Sequence, residues 1–464
     1  MIIDTHCHLD FKDFDGDGDE VIKRSAAAGV GRIINVSSSV ERARRAVELA
    51  GQYEMVYATL GVHPHEADTV TDKVISDFKA LAKNDKVIAI GEVGLDYSRL
   101  LRPASGGTRN DESADEQKTA FRKFIHLARE LDLPLIIHSR DAGDEVINIL
   151  KEHAARINGV MHCFSGDAAF LKQCLDLGMY VSFTCNLTFK NAKALRQVAG
   201  SVPVERLLLE TDAPFLAPQE FRGKRNEPAY LKYLVDEWSK ILGLSKDDVC
   251  RTTTHNANRL FKLGLEEYSA IAYKIRDSLY LNITNRCTNE CDFCVRNQTP
   301  FVKGHKLKLE KEPTVDEIIK EAGDPKSYRE IVFCGYGEPT IRIDVIKAVS
   351  RALKAKGARM RLVTNGHGDL INNRPIAEEL AGLVDKVSVS LDVDSEDKYN
   401  DICKPEFGLG TYRRILGFIT SCVANHIETE VTCLDLPGID IRKCEETARS
   451  LGASFRVRKY GVTG

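Results

Sequence analysis

From Met1 onward, short β-branched runs alternate with stretches whose apolar residues recur at helical spacing, and this alternation confines the chain to parallel strands joined by helices. Candidate strands are Met1 to His8, Arg32 to Ser37, Val56 to His63, Val87 to Asp96, Pro134 to His138, Gly159 to Phe164, Met179 to Phe183 and Arg206 to Asp212. Between them, Glu41 to Tyr53, Glu116 to Leu131 and Asp144 to Arg156 carry the helical period. Eight such units ending near Leu263 fit a closed (β/α)8 TIM barrel. The helical stretch Lys246 to Phe261 closes this half, residues 264–272 read as a short linker, and the alternation restarts. Ser278 to Thr284, Glu330 to Cys334, Ala358 to Thr364, Lys386 to Asp392, His426 to Cys433 and Ser454 to Tyr460 make six further strands, which suit an open partial (β/α)6 barrel. The expected organisation is α/β throughout, with domains at 1–263 and 273–464. The Gly/Ser/Asp-rich run Ser98 to Asp115 has the composition of an inserted surface loop.

Composition narrows the function classes. At 464 residues the chain exceeds one ordinary domain, and its 43% hydrophobic and 29% charged content excludes wholesale disorder. The net charge of -3 creates no overall field for a polyanion, so a bound nucleic acid has to be held by local basic residues or by metal ions. Thirteen cysteines, an odd number, follow a start without the features of a signal peptide. No apolar run is long enough to cross a bilayer. The expectation is a cytoplasmic protein with free or metal-bound thiols and no membrane partner.

Ionisable residues fall where the first eight strands end. His6 and His8 share one face of their strand; His63, Glu92, His138, His162 and Asp212 sit at or near the ends of the third, fourth, fifth, sixth and eighth. In a (β/α)8 barrel those ends meet around one mouth, where imidazoles and carboxylates can hold divalent metal and a shared carboxylate can bridge two ions. His65, His126, His153 and His255 lie beyond strand ends or on helices and read as packing residues.

With those residues in view, residues 1 to about 263 resemble the TatD-type metal-dependent nuclease family of the amidohydrolase-like superfamily. The stretches that carry the resemblance are Ile3-Asp4-Thr5-His6-Cys7-His8-Leu9-Asp10, Gly61-Val62-His63-Pro64-His65, Gly91-Glu92-Val93-Gly94-Leu95-Asp96-Tyr97, His138-Ser139-Arg140-Asp141-Ala142, His162-Cys163-Phe164-Ser165-Gly166 and Leu209-Glu210-Thr211-Asp212-Ala213-Pro214. The resemblance implies one metal on His6, His8, Glu92 and Asp212 and a second on Glu92, His138 and His162, the ions being Mg, Mn or Zn. It implies Asp212 as general base, His63 against the phosphate, and Arg222, Lys224 and Arg225 steering the nucleic-acid backbone. The implied activity is deoxyribonuclease action, 3'-5' and exonucleolytic, on DNA and in some members RNA; other relatives deacylate mischarged tRNA.

A second constellation follows the first strand of the second half. Cys287, Cys291 and Cys294 lie on one loop, and three soft ligands at this spacing suit an iron-sulfur cluster with one iron left open. A structural zinc site needs a fourth ligand, for which Cys334 or His305 could fold back. Cys403, Cys422, Cys433 and Cys444 lack cluster spacing and read as buried thiols, with no auxiliary cluster expected. Residues from about 273 to 464 resemble the radical S-adenosylmethionine family: C-x3-C-x2-C with Phe293 before its last cysteine, Gly335-Tyr336-Gly337-Glu338-Pro339 in place of Gly-Gly-Glu-Pro, Thr364-Asn365-Gly366 and Ser388-Val389-Ser390-Leu391-Asp392. The resemblance implies a 4Fe-4S cluster on the three cysteines, with S-adenosylmethionine contacted by Gly335, Gly337, Glu338, Asn365 and Ser390. An electron donor would reduce the cluster, and a 5'-deoxyadenosyl radical would attack a substrate the sequence does not name. The expected whole is a bifunctional enzyme. Its alternative is a nuclease or aminoacyl-tRNA deacylase fused to a non-catalytic iron-sulfur or zinc module that binds a partner.

Overall fold

Eight strands, β1 (Ile2–Cys7), β2 (Val30–Asn35), β3 (Val56–Leu60), β4 (Val87–Asp96), β5 (Leu135–Arg140), β6 (Gly159–Met161), β7 (Tyr180–Phe183) and β8 (Leu207–Leu209), pair in chain order, every neighbour parallel. Helices cross between them, as parallel pairing requires. The seam closes just past the ends of β1 and β8: the His8 N–H donates to the Ala213 carbonyl at 2.7 Å and the Asp212 N–H to the His6 carbonyl at 2.8 Å. The structure, a computed structural model, describes residues 1–99, 111–153 and 156–459.

The two-residue period of the strands sorts their side chains. Ile34, Ile136, Val160, Tyr180 and Leu208 belong to one buried cluster, while their neighbours Ile33, Ile137, Met161, Val181 and Leu207 belong to another that includes helix residues. The first cluster also holds Leu260 and Phe261 from the helix Lys246–Phe261. That helix caps the end of the barrel away from the mouth, its Asn256 amide donating to the Val204 and Leu207 carbonyls at 2.8 Å.

The chain divides into two units, Met1–Leu265 and Glu266–Gly464. Within the second, β9 (Ala272–Ile275), β10 (Ser278–Leu281), the short hairpin of β11 (Phe301–Val302) and β12 (His305–Lys306), then β13 (Glu330–Phe333), β14 (Met360–Thr364), β15 (Lys386–Ser390), β16 (Glu428–Leu434) and β17 (Ser454–Arg458) follow in order. The main sheet runs β17-β16-β15-β14-β13-β10-β9. Its six expected strands are parallel; β9 adds an antiparallel edge the sequence reading omits. The cause is the turn at Arg276 and Asp277, which lacks the Asn-Gly or glycine signature of a tight hairpin although Arg276 takes φ 56°. Of the stretch read as linker, Ser269 and Ala270 bond to Lys308 and Lys306 of this unit. Its core gathers Leu281, Phe333, Leu362, Val389 and Val431 from the sheet with Ile346, Leu353 and Phe418 from covering helices.

The expected loop Ser98 to Asp115 is shorter than its composition suggests, because the helix Asp111–Leu131 already includes its last five residues; residues 100–110 lie outside the described residues, as do 154–155 and Tyr460. Among the described residues no helix is long and apolar enough to cross a membrane.

Candidate functional site

Glu92 is the hub of the barrel mouth. It lies inside β4 and not at its end, where the pairing register shifts between Ile90 and Val93 and the strand bends. Gly94 permits that bend: it takes φ 143°, and a Cβ there would stand 2.0 Å from the His138 carbonyl oxygen. One carboxylate oxygen, Oε1, lies 2.7 Å from His138 Nδ1, 2.8 Å from His162 Nε2 and 3.8 Å from His63 Nε2. The other, Oε2, faces His6 Nε2 at 3.5 Å and His8 Nε2 at 3.9 Å. Asp212 closes the far side, its Oδ1 3.4 Å from His8 Nε2 and 3.8 Å from His6 Nε2. Asp212 and Cys163 occupy left-handed backbone, φ 56° and 44°, which costs a non-glycine residue about 1–3 kcal/mol. Backbone bonds hold both in place, from the Asp212 N–H to the His6 carbonyl and from the Cys163 N–H to Glu210 Oε1 at 2.6 Å.

The ring nitrogens converge on one another. His6 Nε2 and His8 Nε2 are 3.3 Å apart, and His138 Nδ1 and His162 Nε2, which share one Glu92 oxygen, are 3.1 Å apart. Two nitrogens this close need an N–H hydrogen or a cation between them. The His8 Nδ1–H donates to the Val36 carbonyl at 2.7 Å, which leaves Nε2 as a bare acceptor toward the centre. Burial alone would raise the Glu92 carboxyl, yet the imidazoles of His162, His138 and His6 hold it well below the usual carboxylate range. For His162 burial disfavours the charged ring, but Glu92 and Glu210 drive its pKa well above the ordinary value, and Asp96 and Glu92 raise that of His138 against the same burial. Imidazole nitrogen and carboxylate oxygen together fit a divalent ion such as Zn, Mn or Mg. The ligand atoms of His6, His8 and Asp212, of His6, Glu92 and His162, and of His63, Glu92 and His138 each lie within 4.8 Å of one another.

Two buried carboxylates and a histidine join the site without having been expected. Asp96 Oδ2 faces His138 Nε2 at 3.2 Å, and Glu210 Oε1 stands 3.5 Å from His162 Nδ1 while its Oε2 accepts from the Ser182 hydroxyl at 2.7 Å. His65, read from the sequence as a packing residue, instead approaches Asp96 Oδ2 at 3.3 Å and stacks edge-on against His63, because the turn after β3 folds back over the mouth. By contrast His126 and His153 meet each other on helices, and His255 is buried in the closing helix. The basic residues differ among themselves. Arg225 is paired with Asp17 at 2.7 Å, Arg222 stacks over Phe189 at 4.3 Å, and Lys224 is exposed.

In the second unit Cys287, Cys291 and Cys294 occupy the loop after β10, each half-buried. The Cys294 N–H donates to the Cys291 carbonyl at 3.0 Å, and the Asn297 amide to the same carbonyl at 3.0 Å. Burial pushes the Cys287 thiol up to about 11, so an uncompensated thiolate is disfavoured there. The glycine turn backs this loop closely: a Cβ on Gly337 would stand 2.3 Å from the Arg286 carbonyl oxygen, and one on Gly335 2.1 Å from Asn282 Oδ1. Three soft thiols on one loop against a turn this close suit an iron-sulfur cluster.

The Glu338 carboxylate is buried and accepts from the Thr340 N–H and hydroxyl, the Thr364 hydroxyl and the Asn365 N–H, at 2.6 to 2.9 Å. It ties the ends of β13 and β14 together. Asn365 points its amide at Thr288 Oγ1, 3.1 Å, and at Cys287 Sγ, 3.9 Å. Ser390 accepts from Arg458 at 3.4 Å. The loop is further held by a buried chain of bonds: Asn289 donates to Tyr399 Oη at 2.9 Å, Tyr399 to His367 Nε2 at 2.9 Å, and His367 Nδ1–H to Thr288 Oγ1 at 2.8 Å. His305 Nε2 accompanies the Lys274 carbonyl at 3.2 Å, and Cys403, Cys422, Cys433 and Cys444 are buried.

Comparison with known proteins agrees with this geometry. The profile of the family described as TatD related DNase matches residues 3–262, and that of the Radical SAM superfamily matches residues 281–451. The chain is 42% identical over 265 residues to the uncharacterized metal-dependent hydrolase YabD of Bacillus subtilis, covering 57% of this chain and all of that protein. It is 34% identical over 272 residues to the 3'-5' ssDNA/RNA exonuclease TatD of Klebsiella pneumoniae, covering 57% of this chain and 99% of the relative. The crystal structure of YJJV, a TatD homolog from Escherichia coli, superposes with a TM-score of 0.51 at 31% identity, over 56% of this chain and 98% of that one. Carboxylates and imidazoles gathered at the mouth of a parallel eight-stranded barrel, in a chain matched over more than half its length, make this protein an enzyme of the TatD related DNase family, metal-dependent hydrolases, joined to a radical SAM unit.

Proposed function

We propose that the first unit is a divalent-metal-dependent nuclease that removes nucleotides from a 3' end of DNA or RNA, and that the second carries a 4Fe-4S cluster and cleaves S-adenosylmethionine reductively. The observation that carries the first part is the place of the Glu92 carboxylate among the imidazoles of His6, His8, His138 and His162, beside Asp212. One ion would be held by His6, His8, Glu92 and Asp212, the other by Glu92, His138 and His162. Such ions supply a nucleophile at neutral pH and a sink for charge on phosphate oxygens. Asp212 is kept ionised: burial would raise its carboxyl, but His8, His6 and His162 lower it, so it can take a proton from attacking water at a carboxylate oxygen.

His63 acts as a donor. Its Nδ1 accepts the His65 N–H at 3.2 Å, and burial holds the ring's pKa down to about 4, so the neutral ring carries its proton on Nε2, facing the centre. That proton suits a phosphate oxygen. Arg222 and Lys224 reach solvent and would track the backbone without reading sequence, with Arg225 positioned behind them by Asp17. In the second unit Cys287, Cys291 and Cys294 would anchor the cluster and Gly335, Gly337, Glu338, Asn365 and Ser390 surround S-adenosylmethionine. Together these groups supply one-electron, hydrogen-abstracting chemistry when bound.

The test is a substrate panel of single-stranded DNA, RNA and acylated tRNA with wild type and Glu92→Gln. We expect 3'-5' shortening of the oligonucleotides by wild type and none by the variant, with the fold intact by circular dichroism. Near-native hydrolysis by Glu92→Gln with both metals bound overturns the site. Deacylation without oligonucleotide cleavage overturns the nuclease. For the second unit, protein reconstituted without oxygen should hold iron and sulfide and cleave S-adenosylmethionine under strong reduction; zinc in place of iron defeats that part.

A further inference from the structure

Beside the carboxylate and imidazole centre the barrel presents one large phenyl ring to solvent. Phe215, three residues after Asp212, is 49% exposed; among the described residues of the first unit only Met1 is another exposed large apolar side chain. The ring's place is built and not loose. The Phe215 N–H donates to the Asp212 carbonyl at 2.9 Å, and its carbonyl accepts from the Asn226 amide at 2.7 Å. The same amide, fully buried, also donates to the Thr211 carbonyl at 2.9 Å. A buried side chain thus fixes an exposed aromatic residue beside the proposed general base.

The ring meets Phe11 at 85°, centroids 5.7 Å apart, and His8 at 69° and 6.3 Å. These near-perpendicular contacts do not stack on the phenyl group, and about half of it stays open to solvent. Phe11 in turn lies 4.7 Å from the His8 ring and beneath the Arg42 guanidinium at 3.8 Å. An aromatic surface therefore runs without a break from solvent to an imidazole of the centre.

We infer that Phe215, buttressed by Phe11, is a stacking platform for the terminal nucleobase of single-stranded nucleic acid, holding the base while the adjoining phosphate lies at the carboxylate and imidazole centre. The occupant must combine a planar π-face with an anionic phosphate one nucleotide away, which a nucleic-acid end does and an apolar acyl chain does not. Because every base has a π-face, the platform is indifferent to sequence. This inference rests on the nuclease reading of the first unit.

The experiment uses the full-length protein and pairs of oligonucleotides that differ only in whether the 3'-terminal nucleotide carries a base. Wild type should favour the base-bearing member in kcat/KM by about 5- to 150-fold, chiefly through KM, the range expected of one stacked base. Phe215→Ala should bring the ratio toward one and Phe215→Trp should keep or raise it. Phe215→Leu, apolar but not aromatic, should behave as the Ala variant; a full preference retained in it, or an equal ratio in wild type and Phe215→Ala, overturns the platform. If wild type cleaves neither member, the nuclease reading has failed, and the platform is then read by binding alone. An oligonucleotide ending in 2-aminopurine should be quenched by wild type and not by Phe215→Ala; equal fluorescence with both overturns it.

Discussion

At the scale of single residues, two carboxylates do for the imidazoles what the strands cannot. Asp96 sets the ring of His138 through Nε2, and Glu210, anchored by Ser182 and the Cys163 N–H, stands behind His162. Each leaves the other ring nitrogen aimed at Glu92, the arrangement that fixes tautomer and raises ligand basicity. Asp96→Asn and Glu210→Gln should each weaken divalent-metal binding by about 10- to 100-fold while changing stability far less than core substitutions do. Calorimetric metal titration checks this; affinities equal to wild type would leave both carboxylates as packing groups. Both residues lie within the motif stretches of the sequence. Their role was not legible there, because it depends on which neighbouring strand brings a histidine within 3.5 Å.

Among elements, the cysteine loop owes its shape to a segment over a hundred residues later. The N–H groups of Glu290 and Asp292 donate to the carbonyls of Cys403 and Ile402 at 3.1 and 3.0 Å, and that of Glu406 to the Thr288 carbonyl at 2.9 Å. The partner segment includes the π-helical turn Tyr399–Cys403, a distortion that recurs at functional sites. His367 links the two by its bonds to Thr288 and Tyr399, and burial pushes its pKa down to about 4. The unfolded ring, with an ordinary value near 6.5, takes a proton first as pH falls. The stability His367 contributes is therefore present above about pH 6.5 and lost between there and about 4, by about 3 kcal/mol. Amide protection in residues 288–292 and 399–406, taken as the exchange rate relative to the intrinsic rate at each pH, should fall between pH 7 and 4.5 in wild type and do so much less in His367→Gln. Equal pH sensitivity in both would refute the assignment. No spacing in the sequence announces this clamp, since its partners are brought together only by the sheet.

For the molecule as a whole, each unit has its own core, and the lone tryptophan, Trp238, is wholly buried in the first. Its fluorescence reports the barrel. Phe333→Ala, which opens a cavity in the second core, should destabilise that unit by about 3–5 kcal/mol and leave the Trp238 transition in place. A shift of that transition would show the two units unfolding together. Likewise, replacing Cys287, Cys291 and Cys294 together by Ala should abolish iron binding and spare hydrolysis by the barrel.

By itself the sequence determined the alternation of strands and helices, the count of eight and six parallel strands, and the stretches of chain in which both constellations lie. These follow from local period and spacing, which are properties of neighbours in the chain. Only the tertiary structure decided that Glu92 sits at a bend within β4, that Asp96 and Glu210 stand behind the imidazoles around Glu92 and His65 approaches Asp96, that Arg225 is paired with Asp17, and that β9 covers the edge of the second sheet. Each of those depends on which strand lies next to which and on a backbone bend of one residue. Contacts between residues tens or hundreds of positions apart carry no period for a linear reading to find.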